Sequence, residues 1–144
     1  MRKFEVVKNC PFPVKLPKRS TAGSAGYDFY APYPFVIAPG QSLVVKTWVK
    51  VMMPKDNFLK IIARSSWNTK KKIFITCSGI IDSDYYGNPH NDGDILIQFT
   101  NRGSEPFQVN EGERIAQGIF LPFLLTDDDE ADGKRVGGMG STGD

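Results

Sequence analysis

Fourteen glycines and ten prolines cut this chain into apolar runs too short to be the helices of an α or α/β fold. Phe35-Val36-Ile37-Ala38 stops at the turn pair Pro39-Gly40. Leu43-Val44-Val45 and Trp48-Val49-Lys50-Val51 follow, the second closed by Pro54-Lys55-Asp56-Asn57. Then come Phe58-Leu59-Lys60-Ile61-Ile62, Ile73-Phe74-Ile75-Thr76, Ile95-Leu96-Ile97-Gln98-Phe99 and Ile115-Ala116-Gln117-Gly118-Ile119-Phe120. Each run has strand length, is rich in β-branched and aromatic residues, and recurs between turn signals. That pattern belongs to a sandwich or barrel rather than to βαβ units. Only Ser66 to Lys72 has room for a turn or two of helix, and its Lys70-Lys71-Lys72 run reads as a solvated face. The fold class is all-β.

A chain of 144 residues fits one domain, and a domain of that size hides roughly 70% of its unfolded surface. Eighteen basic against sixteen acidic residues leave a net charge of +2. With no basic stripe, no direct nucleic-acid binding is expected. Cys10, Cys77 and the single His90 lack the spacing of a disulfide framework or a zinc site. Met1-Arg2-Lys3-Phe4-Glu5 leads into no apolar signal-peptide core, and no run approaches membrane-spanning length, so a cytoplasmic protein without membrane attachment is expected. The composition changes after Leu125. Residues 1–125 read as the folded domain, and residues 126–144 as an arm. The arm opens on the self-repelling block Asp127-Asp128-Asp129-Glu130-Ala131-Asp132. Beyond it, Gly137-Gly138-Met139-Gly140-Ser141-Thr142-Gly143 offers exposed N–H groups and hydroxyls, the makings of a phosphate cradle, or else an idle tail.

Four further segments contain residues with chemical potential. In Gly79-Ile80-Ile81-Asp82-Ser83-Asp84-Tyr85-Tyr86-Gly87, two β-formers lead into an Asp at the expected end of a buried strand. A carboxylate held there can deprotonate a water; Asp82 and Asp84 equally suit a β-turn. Arg64-Ser65-Ser66 follows an apolar run and offers a guanidinium fork and hydroxyls to phosphate oxygens, or is a polar surface turn. Asp28, in Ala25-Gly26-Tyr27-Asp28, suits either a magnesium ion held through water or a buried loop cap. Gly112-Glu113-Arg114-Ile115-Ala116-Gln117 by itself reads as a turn entering the last strand.

Taken in order, these segments resemble the five motifs of the trimeric dUTPase family, in its bacterial or phage form, from about Ala22 to Gly143. That family shows an AGYD-type motif, an RS[GS] motif, GxIDxDYxG, [GE]xRIAQ and a GGFGSTG arm. The resemblance implies a distorted jelly-roll-like β-barrel with a flexible C-terminal arm that closes the active site. It implies hydrolysis of dUTP to dUMP and pyrophosphate by attack of water on the α-phosphorus. Such a reaction limits uracil incorporation into DNA and supplies dUMP for dTMP synthesis. Asp82 would be the general base, and Tyr85 would pack on the deoxyribose and exclude a 2′-hydroxyl. A hairpin from about Ile73 to Ile81 would read uracil with main-chain groups near Gly79. Arg64, Ser65, Ser66 and Gln117 would contact the triphosphate, with Mg2+ bridging the phosphates and Asp28 near it through water. Gly140, Ser141 and Thr142 would close over the nucleotide. The family's homotrimer places three sites between subunits, one chain donating the third motif and another the arm.

This chain departs from the family in four places. Met139 stands where an arm Phe stacks on uracil. The arm's Arg aligns with Lys134, with Arg135 adjacent, so either would serve the γ-phosphate. Ala63 replaces a residue that is often Pro. Asn88-Pro89-His90-Asn91-Asp92-Gly93 lengthens the loop after the third motif, and His90 is assigned no role. Two rival readings follow. A dCTP deaminase of the same fold would need a proton-shuttling Glu where Gln98 stands, and Gln cannot take up and release a proton. A regulatory protein would keep the nucleotide pocket as a switch, with the 88–93 insertion as its natural contact surface.

Overall fold

The computed structural model describes residues 1–77 and 79–138. Among these are eleven strands: β1 (Lys3–Val6), β2 (Tyr27–Tyr30), β3 (Phe35–Ile37), β4 (Ser42–Lys46), β5 (Val49–Met52), β6 (Asn57–Ala63), β7 (Ile73–Ile75), β8 (Ile80–Asp82), β9 (Leu96–Asn101), β10 (Phe107–Val109) and β11 (Arg114–Pro122). Every pairing is antiparallel. A four-stranded sheet runs β2-β11-β6-β8 and a three-stranded one β4-β9-β7, flanked by the pairs β1-β5 and β3-β10. Neighbours in space are mostly distant in sequence, so the chain wraps in the jelly-roll-like manner expected, in four sheets rather than one closed sheet.

Alternation decides which side chains enter the core. Along β9, Ile97, Phe99 and Asn101 are buried while Leu96, Gln98 and Thr100 are half-exposed, the period-two pattern of a strand with one wet face. Ile37, Val45, Leu59, Ile95, Ile97, Phe99, Val109 and Ile115 are fully excluded from solvent, each such burial stabilising by about 1.5–3 kcal/mol. The expected short helix is one wide turn, Trp67–Lys71. Its Trp67 packs at 5.5 Å from the Phe99 ring and 5.0 Å from Phe107, while Lys70, Lys71 and Lys72 face solvent as anticipated.

Two expectations about the third-motif region need correcting. Residues Ile73 to Ile81 are not a paired hairpin: β7 joins β9, while β8 joins β6 in the other sheet. Gly79 makes the crossing possible. It sits at φ +72°, and a Cβ there would come within 2.6 Å of the Ile61 carbonyl oxygen. Nor does Asp82 end a buried strand. β8 is the edge of its sheet, Ile80 is exposed, and Asp82 itself faces solvent.

The last strand ends at Pro122, and from 123 to 138 the described chain forms no strand. No helix among the described residues is long and apolar enough to cross a membrane.

Candidate active site

Strand β6 positions two groups of candidate residues, one at each end. At its C-terminal end, Ala63 lies opposite Ala116 of β11, and Gln117 of β11 lies opposite Asp28 of β2. This register brings three separate segments to one edge. The Gln117 Nε2 donates to Asp28 Oδ1 at 3.4 Å, and Arg114 Nη1 lies 3.8 Å from Asp28 Oδ2. Arg64 Nη1 donates to the Arg114 carbonyl at 3.1 Å. The Arg64 carbonyl accepts the Trp67 and Asn68 N–H groups, so the buried Trp67 anchors the turn that aims the guanidinium. Lys15, Ser20, Asp28, Tyr30, Arg64, Gly112, Glu113 and Arg114 line a depression of about 510 Å³ here. Three cations against two carboxylates favour a polyanionic occupant, and the two guanidiniums present planar donor forks. Ser65 and Ser66 begin the Trp67 turn beside it; Ser65 contributes its carbonyl to the Thr69 hydroxyl at 2.9 Å.

Asp82 lies at the other end. Its β8 position pairs with Phe58, six residues before Arg64, which on an extended strand is roughly 20 Å. There the arm returns to the body. Arg135 Nη2 meets Asp82 Oδ2 at 2.7 Å, and Arg135 Nε donates to Asp84 Oδ1 at 2.7 Å. Lys134 is exposed and forms no hydrogen bond or ion pair among the described residues, so of the two arm cations Arg135 is the one turned toward the third motif. The resemblance implied another chain's arm over this motif; within the single chain, its own residues 135–138 lie there. Met139, Gly140, Ser141 and Thr142 lie outside the described residues.

Tyr85 is buried beside Asp82. Its hydroxyl donates to the Asp94 carbonyl at 2.7 Å and accepts from Asn91 Nδ2 at 2.6 Å. Burial pushes the phenol above its usual pKa. The neighbouring Asp94 carboxyl, fully buried, is pushed up to about 6 by desolvation, against the pull of the Trp48 N–H and Lys46. The Gly79 carbonyl, expected near uracil, already accepts the Ile61 N–H at 2.6 Å. Gln98 donates to the Thr76 hydroxyl at 3.0 Å, within an exposed row of Thr76, Thr100 and Ser42.

Comparison with known proteins decides between the candidate readings. The family model described as dUTPase matches residues 13–143. The deoxyuridine 5′-triphosphate nucleotidohydrolase of Lactococcus lactis is 43% identical over 99% of this chain and 98% of its own length. The chain belongs to the dUTPase family. The crystal structure of the dUTPase from Streptococcus mutans superposes with a TM-score of 0.80 at 40% identity, covering 86% of this chain and 98% of that one. The dUTPase of phage phi11 of S. aureus shares the fold at 20% identity, with a TM-score of 0.74 over 92% of this chain and 97% of its own.

Within this dUTPase fold, the first, second and fourth motifs meet at the depression, whereas the third lies at the far end of β6 with the start of the arm. Sequence reasoning missed Lys15 and Arg114. Arg114 stood in a recognised motif but read as a turn residue, and its pairing with Asp28 depends on β2 lying beside β11. Lys15, whose ammonium sits 3.9 Å over the Tyr30 ring, carries no local signal at all.

Proposed function

We propose that the chain hydrolyses dUTP to dUMP and pyrophosphate at a site shared between subunits of a homotrimer in the cytoplasm. Asp82 serves as general base, and Arg64 of a neighbouring copy grips the phosphates. The observation that carries this reading is the separation of Asp82 from Arg64 along β6. Within one chain the two backbones stand roughly 20 Å apart, whereas two copies related by rotation can bring both to a single triphosphate. Asp82 takes a proton from water as the water attacks the α-phosphorus. Arg64, Gln117, Ser65 and Ser66 orient the phosphates, and Arg114 and Lys15 add positive charge to the same depression. Tyr85 packs on the deoxyribose, and the main chain around Gly79 reads uracil, with its carbonyl engaged by Ile61 and its N–H making no hydrogen bond among the described residues.

The donor set suits Mg2+ held chiefly by phosphate oxygens and water. No group of three His, Cys, Asp or Glu among the described residues is placed to hold a metal, and both Asp28 oxygens face protein cations or amides. Asp28 would hold such an ion only through water, while it orients Gln117 and Arg114. Bound Mg2+ would offset the charge of the departing pyrophosphate. The phi11 enzyme is described as coordinating a structural Mg(II) ion, which supports a magnesium-using relative without placing the ion here.

Residues 1–125 form the catalytic body and residues 126–144 the closing arm, in which Arg135 serves the γ-phosphate and Met139, Gly140, Ser141 and Thr142 cover the nucleotide. Exchange of identical arms between protomers replaces the intrachain Arg135–Asp82 contact with an equivalent one across subunits. The deaminase alternative is not favoured, since Gln98 is neutral and bonded to Thr76.

Pyrophosphate release measured side by side from dUTP, dCTP, dTTP and UTP tests the reading. Turnover of dUTP is expected to exceed that of each other nucleotide by at least about 10²-fold, the discrimination typical of a site that rejects misfitting groups. Ammonia release from dCTP, or UTP turnover equal to that of dUTP, would overturn it.

A further inference from the structure

The loop that departs from the family pattern, Asn88 to Gly93, folds back onto Tyr85 rather than outward. Asn91 Nδ2 donates to the Tyr85 hydroxyl at 2.6 Å, while its Oδ1 accepts the Gly93 N–H at 3.0 Å. The second bond fixes the amide's orientation, because only the oxygen can accept from an N–H, so the nitrogen must face Tyr85. The same hydroxyl donates to the Asp94 carbonyl. Tyr85 is thus held from both sides by consecutive parts of one loop.

The loop itself is anchored. Asp92 accepts from Lys50 Nζ at 2.7 Å and the Lys8 N–H at 2.9 Å. Burial works against its charge, but these partners prevail and hold the carboxyl below its usual pKa. Gly93 has φ +86°, and a Cβ there would come within 2.7 Å of the Tyr85 carbonyl oxygen. The loop's backbone therefore rests directly on that of Tyr85. On its other side, Asn88 Nδ2 donates to the Gly137 carbonyl of the arm at 2.7 Å.

We infer that Asn91 is a positioning residue that sets the Tyr85 ring against the sugar and so tightens selection of deoxyribose over ribose. The inference rests on the reading of Tyr85 as the group that excludes the 2′-hydroxyl. One buried tyrosine hydroxyl held by two partners is a stiffer barrier than one held by a single carbonyl, and a barrier that yields admits the larger sugar. Loss of the Asn91 bond therefore acts on UTP rejection more than on dUTP turnover.

The test compares kcat and KM for dUTP and UTP in Asn91→Ala, Asn91→Asp, Tyr85→Phe and Tyr85→Ala, with thermal melting as a check on folding. Asn91→Asp keeps an oxygen for the Gly93 N–H but cannot donate to Tyr85, so it separates the brace from the shape of the loop. Both Asn91 variants are expected to lower the ratio of kcat/KM for dUTP over UTP by roughly tenfold, the weight of one buried hydrogen bond. Their kcat for dUTP should stay within about threefold of the parent. Tyr85→Phe is expected to lower the ratio similarly, and adding Asn91→Asp to it should lower the ratio no further. If Tyr85→Ala leaves the ratio intact, the sugar-excluding reading of Tyr85 falls. If Tyr85→Ala collapses the ratio while Asn91→Asp leaves it unchanged, that reading stands and the brace is refuted.

Discussion

Asp82→Asn is expected to slow pyrophosphate release from dUTP by about 10²–10⁴-fold, the usual worth of a positioned general base. The amide matches the carboxylate in shape but has no site to take up the water's proton. Binding should suffer far less, since the role proposed for Asp82 is proton removal rather than the phosphate grip. The Arg135 guanidinium keeps Asp84 as a partner at 2.7 Å, so the arm retains a foothold when Asp82 loses its charge. Isothermal titration with a non-hydrolysable dUTP analogue, beside a pyrophosphate-release assay, separates the two effects. Undiminished turnover would place the base elsewhere; abolished binding would make Asp82 a ligand contact instead.

Arg64→Ala is the second large effect, with turnover expected to drop by about 10²–10³-fold, as when one preorganised donor to developing charge is removed. Arg64→Lys should recover only part of that loss, because an ammonium supplies charge without the planar fork that engages two phosphate oxygens at once. The Arg64 side chain donates to the Arg114 carbonyl from a partly exposed position at the end of β6, so neither change should unfold the protein. Steady-state kinetics with a melting curve for each variant checks this. A lysine variant equal to the parent would reduce the role of Arg64 to bulk charge.

The strands were legible where apolar alternation met a turn signal. Leu43-Val44-Val45 before and Phe58 to Ile62 after Pro54-Lys55-Asp56-Asn57 fall on β4 and β6 within a residue or two. Lys3–Val6 and Phe107–Val109 escaped notice because three or four residues of mixed polarity make no pattern; each exists because a partner, β5 or β3, supplies its hydrogen bonds. Which sheet a strand joins is a long-range property. The family resemblance implied a hairpin from Ile73 to Ile81, but its second limb joins β6, where the Gly79 carbonyl accepts the Ile61 N–H. The same holds for the site. Asp82, Arg64, Tyr85 and Gln117 stood out through motif order, which survives without any knowledge of packing. Lys15 and Arg114 became visible only once β2 and β11 were side by side. Adjacent basic residues likewise gave no means of separating Lys134 from Arg135; in the fold it is Arg135 that faces Asp82 and Asp84. In the Asn88–Gly93 insertion, Asn88, Asn91 and Asp92 turn to the arm, Tyr85 and Lys50, while Pro89 and His90 stay exposed, an arrangement that no local pattern announces.

A mixed-subunit assay bears most directly on a site divided between chains. Asp82→Asn and Arg64→Ala proteins are each assayed alone, then unfolded together in equal amounts, refolded and assayed again. In random mixed trimers, about one site in four draws Asp82 from one variant and Arg64 from the other. Activity is therefore expected to rise from near zero to about a quarter of the parent's. Activity in the mixture no higher than the mean of the two variants alone would mean that Asp82 and Arg64 serve the same site from a single chain, contradicting the shared-site account.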